Sequence, residues 1–307
     1  MYQKLSEVTT MEFKKITHAD MPLIWEFLQK ENGRTTDFSY GGLFMWIDSF
    51  KYEFAIENDT LFIKGVVEND KSKPAFSLPI GPHPLSESLD LLKDYCKNHN
   101  IPLELSAVPE YALEDISGCN ITSIEELKDW GDYLYEIESL ASLQGKKMSK
   151  KRNHVHHFLA NYTDWHFDAL TPENANDAMA FMDLSDREGD MAESAIEERK
   201  LTRQLLKEII NGDTHLEGGI LYVNGNVAAF TIGDIKHDTL FVHVEKATRH
   251  ITGSYEMINN LFAKLMAEKY PFLKYINRED DAGDPGLRKA KESYHPCNIL
   301  RKYNVII

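Results

Sequence analysis

The chain sets out one order of elements twice, and that repetition constrains its fold more than any single motif. Asp20 is placed to cap a helix running to about Lys30 with Pro22 in its first turn, and a second helical stretch follows near Leu43–Phe50. Tyr52–Glu57, Leu61–Val67 and Pro74–Leu78 read as an antiparallel meander that turns at Asn58-Asp59. Beyond the break at Pro79-Ile80-Gly81-Pro82, Leu89, Leu92 and Cys96 fall at helical spacing within Ser86–Asn98. A strand at Leu103–Val108, a helical turn at Glu110–Ile116 and strands near Ile121–Ile124 and Asp132–Ile137 close this half.

The second half runs through the same series. A strand at Trp165–Ala169 leads to a helix beginning at Thr171-Pro172-Glu173 and ending near Asp186, and a longer helix covers Ala192–Ile210. The meander is Gly219–Val223, Val227–Ile232 and Thr239–Val244, with Asn224-Gly225 as its hairpin turn. Tyr255–Lys269 is a helix carrying Ile258, Leu261, Phe262 and Leu265 on one face. Phe272–Ile276, Pro285–Glu292 and Asn298–Ile306 supply a strand, a short helix and a final strand. The pattern predicts an α/β fold of two mixed central sheets flanked by helices, with domains over 1–137 and 138–307 and a junction within Glu138–Lys151. The halves share little letter-by-letter identity, so it is the pattern that repeats.

Composition narrows the functional classes. With 307 residues, 42% of them hydrophobic, the chain can bury real cores. Its first twenty residues have no apolar segment before a small-residue cleavage site, and no apolar run approaches the roughly 20 residues that span a bilayer. Cys96, Cys119 and Cys297 are odd in number and far apart, which reads as free thiols in the cytoplasm. A net charge of −15 disfavours general nucleic-acid binding. One local exception is Gly145–Arg152, where Lys146, Lys147, Lys150, Lys151 and Arg152 cluster.

Ligands of open α/β layers sit beyond strand ends, near helix N-termini. The stretch from His243 to Tyr255 is such a place: Glu245, Lys246, Arg249, Gly253 and Ser254 join the last meander strand to the long helix. Backbone N–H groups there, with Arg249, suit a phosphate or carboxylate, and Gly253 permits close approach. The same letters fit an ordinary loop in which Ser254 caps the helix, and spacing does not separate the two. Asn277, Arg278, Glu279 and Asp280 follow an apolar strand, where they could anchor an amine, act as a base, or form a solvated loop. Arg288 and Lys291 share a helix face just beyond them. His154, His156 and His157 have no nearby partner to complete a metal set, and no metal is expected. Arg187, Glu188 and Asp190 end a helix near a possible substrate mouth. The first half's counterpart loop, Pro79–His83, is proline-stiffened and lacks cations, so the working site is expected in the second half.

These residues resemble a known family. Tyr133-Leu134-Tyr135, Leu143–Met148, Lys151–His154, Glu245-Lys246-Ala247, Gly253-Ser254-Tyr255, Asn277–Asp280 and Gly286–Pro296, in that order, are similar to the C-terminal domain of phosphatidylglycerol lysyltransferase and its soluble bacterial relatives. The resemblance implies a tandem GNAT-like fold, akin to the Fem peptidyltransferases, and transfer of an acyl or aminoacyl group to a small amine or hydroxyl acceptor. The donor it implies is acyl-CoA or aminoacyl-tRNA. On this resemblance Lys150, Lys151 and Arg152 face donor phosphates, and Arg249 with Gly253-Ser254 holds the donor. Glu279 or Asp280 is the base or amine anchor, and Tyr294 is a proton donor to the leaving group. The long membrane region that precedes this domain in lipid aminoacyltransferases has no counterpart in the sequence. A non-catalytic protein that binds an anionic metabolite, and a purely structural protein, are the competing classes. Donor, acceptor and oligomeric state are not fixed at this level.

Overall fold

A computed structural model of the chain describes residues 11–68, 70–185 and 193–307. Two units are present, and they are not the two halves of the sequence. The first comprises the chain up to Glu31, Trp46–Leu127 and Lys302–Ile307; the second comprises Asn32–Met45 and Lys128–Arg301. The path therefore changes unit at 31/32, 45/46, 127/128 and 301/302.

In the first unit the short strand β1 (Lys14–Lys15) and helix α1 (Met21–Leu28) precede the meander β2 (Glu53–Glu57), β3 (Thr60–Val67) and β4 (Asp70–Phe76). The β2–β3 turn places Asn58 and Asp59 at φ 49° and 55°, the left-handed pair that matches the twist of a two-residue hairpin. Helix α3 (Leu85–His99) buries Leu89, Leu92 and Cys96 and stops at Asn100, which is left-handed. Strands β5 (Glu104–Pro109) and β6 (Ser123–Glu126), with the C-terminal β14 (Lys302–Ile306), complete a sheet of order β1-β2-β3-β4-β5-β14-β6.

The second unit holds nearly all of helix α2 (Tyr40–Trp46), then β7 (Asp132–Glu136), α4 (Ile137–Ser142), α5 (Ser149–Asn161) and β8 (Trp165–Ala169). Helices α6 (Ala175–Ser185) and α7 (Glu193–Ile210) follow, then the meander β9 (Leu216–Val223), β10 (Asn226–Lys236) and β11 (Thr239–Ala247). Last come α8 (Ser254–Lys269), β12 (Tyr275–Asn277), α9 (Pro285–Glu292) and β13 (Asn298–Leu300). The sheet order is β13-β7-β12-β11-β10-β9-β8, antiparallel except for the β11–β12 pair. Helix α8 lays Met257, Ile258, Phe262, Ala263 and Met266 into a core that includes Leu221, Ala229, Leu240 and Ile276. Each of the larger side chains among these contributes about 1.5–3 kcal/mol by leaving water, and each alanine less.

Two strands lie elsewhere than the repeat of pattern suggests. β7, expected to close the first half, pairs with β12 and β13 in the second sheet. The expected final strand is broken at Arg301, giving β13 to one sheet and β14 to the other. Four of the five residues of β7 are buried, the mark of an internal strand, but alternation and burial say nothing about which sheet a strand joins. The expected junction is occupied by α4 and α5. Arg187, Glu188 and Asp190 lie outside the described residues. Among the described residues no helix is long and apolar enough to cross a membrane.

Candidate active site

The second sheet opens where β11 and β12 part. They pair in parallel only from Thr239↔Tyr275 to Phe241↔Asn277, although β11 continues to Ala247. Arg278, the first residue past β12, reaches across this opening and donates from Nη2 to Glu245 Oε1 at 2.9 Å. Glu245 Oε2 accepts from Asn259 Nδ2 of α8 at 3.1 Å. Glu256 shares that face of α8, three residues earlier, and pairs with Lys151 Nζ of α5 at 3.4 Å. The rings of Tyr294 and Tyr135 adjoin the Arg278 guanidinium at 4.8 and 5.8 Å. Glu245, Glu256, Lys151 and Arg278 are each between 12% and 16% exposed, so charge here is shielded from water but not sealed from it.

Two polar atoms in this crevice are buried without a hydrogen-bond partner among the described residues: Arg278 Nη1 and Asn259 Oδ1. Each belongs to a side chain whose other half is bound to Glu245. Leaving such atoms bare is costly, about 1–3 kcal/mol each. Burial would lower the Arg278 pKa, but Glu245, with Tyr135, Tyr294 and Glu256 adding to it, more than offsets that and holds the guanidinium charged. Burial lowers the Lys151 pKa, with Glu256 opposing it. Burial also raises the Tyr294 hydroxyl well above its ordinary value.

A separate buried knot sits where the segment 32–45 meets the strand ends of the same unit. His243 Nδ1 contacts Glu279 Oε1 at 2.7 Å, and Nε2 bonds Asp234 Oδ1, which also accepts the Gly41 N–H at 2.9 Å. A Cβ on Gly41 would lie 2.5 Å from the imidazole, so only glycine lets α2 approach. Asn277 donates to Asp132 Oδ2 at 2.9 Å and to Arg34 O at 2.6 Å, and accepts the Glu279 N–H at 2.7 Å. Thr36 N donates to the same Asp132 oxygen at 2.7 Å. Burial alone would depress the His243 pKa; Asp234 first, then Glu279, push it up to about 10, so the ring is an imidazolium at neutral pH.

The family model for the phosphatidylglycerol lysyltransferase C-terminal domain matches residues 30–306. The chain belongs to this family. A conserved protein of unknown function from Bacteroides thetaiotaomicron is 34% identical, with a TM-score of 0.83 over 97% of this chain and 99% of that one. The structure of L-PGS from Bacillus licheniformis has a TM-score of 0.61 at 14% identity, covering 93% of this chain and 91% of that one. FemX has a TM-score of 0.63 at 10% identity, covering 97% and 98%. The fold is therefore the expected α/β architecture of two mixed sheets flanked by helices.

Within this family fold the residues singled out in the sequence divide into four groups. Lys151, Glu245, Arg278 and Tyr294 meet in the crevice. His243, Asn277 and Glu279 meet in the buried knot. Several others serve the scaffold. Arg152 donates to Leu143 O and Gly145 O at 2.5 and 3.2 Å. Arg288 binds Asp281 and Asp129, each at 2.7 Å, and Lys291 donates to Arg278 O at 2.6 Å and to Asp280 O. Asp280 Oδ1 accepts the Ala282 N–H at 2.9 Å, and Lys246 pairs with Glu198 at 2.5 Å. Ser254 Oγ donates to Thr248 O at 2.9 Å, and a Cβ on Gly253 would lie 2.7 Å from His154 O, so α5 packs over the start of α8. Lys150 and Arg249 are exposed. Sequence reasoning missed Glu256, Asn259, Tyr135 and Asp234. The available signal was on α8, where Asn259 and Asn260 interrupt an otherwise apolar helix face; buried amides there demand partners.

Proposed function

We propose that this chain is an aminoacyltransferase whose active site is the crevice between β11, α8 and Arg278. The carrying observation is the pair of half-satisfied groups around Glu245. An aminoacyl ester presents a carbonyl oxygen that accepts from Arg278 Nη1 and an α-ammonium that donates to Asn259 Oδ1, with Glu256 adding charge complementarity. The acceptor's amine or hydroxyl attacks the ester carbonyl. As the tetrahedral intermediate collapses, the bond to the carrier's oxygen breaks and an amide or ester forms. The acceptor's proton passes through Glu256 to the departing oxygen. Arg278 Nη1, and Lys151 behind it, stabilise the developing oxyanion. Glu256 is preferred over Glu279 as base because it lies on the α8 face that carries Asn259, whereas Glu279 belongs to the separate knot, where its Oε1 contacts His243 at 2.7 Å.

Aminoacyl-tRNA is favoured over acyl-CoA as donor. A diphosphate needs free N–H groups at the start of α8, but α5 covers Gly253 and the Ser254 N–H is directed to Ile251 O at 3.2 Å. Exposed Lys146, Lys147 and Lys150, ahead of and along α5, offer a local cationic surface for a nucleic-acid backbone on an otherwise acidic chain. This reading places the protein in the cytoplasm, where charged tRNA resides. The test is incubation with aminoacylated total tRNA and a panel of small amines, polyols and phosphatidylglycerol vesicles, followed by acid-gel deacylation and mass spectrometry. A product one aminoacyl group heavier is expected. Charged tRNA that is neither bound nor deacylated with any acceptor would sink the proposal.

A further inference from the structure

Tyr294 touches two cations that reach it from different elements. Lys151 Nζ, from α5, lies 3.9 Å from the ring centroid, and Arg278 Cζ, just past β12, lies 4.8 Å from it. The ring is itself held in place. Tyr294 is 4% exposed, and its N–H donates to Lys291 O at the end of α9 at 3.1 Å. Helix α9 is fixed in turn by Asp284, whose side chain accepts the Leu287 N–H at 2.6 Å, and by Arg288 on Asp281.

An aromatic face attracts a cation through its quadrupole without consuming the cation's N–H groups. A carboxylate in the same position would order Lys151 and Arg278 equally well but would also occupy their donors. The arrangement around Tyr294 has the first character. Arg278 is bound to a carboxylate on one side and faces a ring on the other, and Nη1 retains a free donor. The hydroxyl is poorly matched to proton donation, because burial raises its pKa well above the ordinary value and makes it reluctant to release a proton.

We infer that Tyr294 is a positioning residue whose ring, not its hydroxyl, holds Lys151 and Arg278 with open N–H groups toward the carbonyl oxygen of the bound aminoacyl group. This rests on the aminoacyltransferase reading of the crevice, and it replaces the acid role that the family resemblance implied for the same residue.

Three variants test it: Tyr294→Phe, Tyr294→Leu and Lys151→Met. Protein NMR reports the platform without reference to function, since Lys151 Hε protons over the ring are shifted upfield. Calorimetry with L-alaninamide, which carries the α-amine and carbonyl but no carrier, reports the site. Tyr294→Phe is expected to keep the upfield shift and to bind the amide within about twofold of the parent. Tyr294→Leu is expected to lose the shift and to weaken amide binding about tenfold. Lys151→Met, which leaves the ring in place, is expected to reproduce much of that loss and keeps the test open if the leucine variant does not fold. A phenylalanine variant as impaired as the leucine one would overturn the inference in favour of the hydroxyl. So would a leucine variant with the parent's Lys151 shift and affinity. If the parent chain bound no amide while the shift still vanished in Tyr294→Leu, the transfer reading would fail and the platform would stand, so the two failures are separable.

Discussion

At the scale of single residues, the two polar clusters of the second unit differ in what their charges can do. His243 binds its proton more tightly when folded, with a pKa of about 10 against 6.5, so its contribution to stability is complete below pH 6.5 and disappears as pH rises through about 10. Urea unfolding between pH 6 and 10.5 should show a loss on the order of a few kcal/mol in the parent chain and a flatter profile in His243→Gln. A parent profile with the variant's slope would remove the imidazolium from the account. Arg278 poses the opposite case, a charge that the proposed function sets against a ligand. Glu245→Gln leaves that guanidinium without its counter-charge and should cost about 3 kcal/mol, part of which Glu245→Gln combined with Arg278→Met should restore. Arg278→Gln should lower the aminoacyl-transfer rate about a hundredfold, read from single-turnover kinetics at saturating donor.

At the scale of elements, two glycines set how closely helices approach. Gly41 admits α2 against the His243 ring, and Gly41→Ala should destabilise the chain by about 1–3 kcal/mol because the added carbon meets a buried ring fixed at both nitrogens. Gly253 has φ 87° and abuts a backbone carbonyl of α5, so an alanine there is strained as well as crowded. Gly253→Ala should loosen α5 from α8 and raise amide exchange across residues 149–161, while exchange in β9 and β10 stays unchanged. Most elements were legible as sequence. The meander strands and the helices 85–99, 254–269 and 285–292 follow alternation, helical spacing and turn residues within a few positions. Helix α4 was not read and α5 only as a helix tail around His154–His157, because one is six residues long and ended by left-handed Leu143 and the other is so cationic that its sparse buried stripe, Val155 and Phe158, gives little period.

At the scale of the whole molecule, connectivity matters more than the order of elements. A fragment cut at 137/138 keeps most of the second sheet but loses β7 and the segment 32–45, which supply Asp132, Thr36 and the N–H groups that satisfy Asp234. Expressed alone, residues 138–307 should give a poorly dispersed NMR spectrum, and a folded fragment would show these contributions to be dispensable. The acidic net charge and local basic stretch make their own prediction. Replacing Lys146, Lys147 and Lys150 with alanine should weaken tRNA binding and lower its salt slope by about two to three counterions. The sequence by itself determined the α/β class, most of the elements and, through ordered motifs, the family. Local spacing and turn chemistry encode those features. Only the tertiary structure decided which sheet took β7 and β14, that Glu279 serves a buried imidazolium, and that Glu256 and Asn259 face Arg278. Those facts depend on contacts between residues 14 to 202 positions apart, where alternation and helical period carry no information about partners.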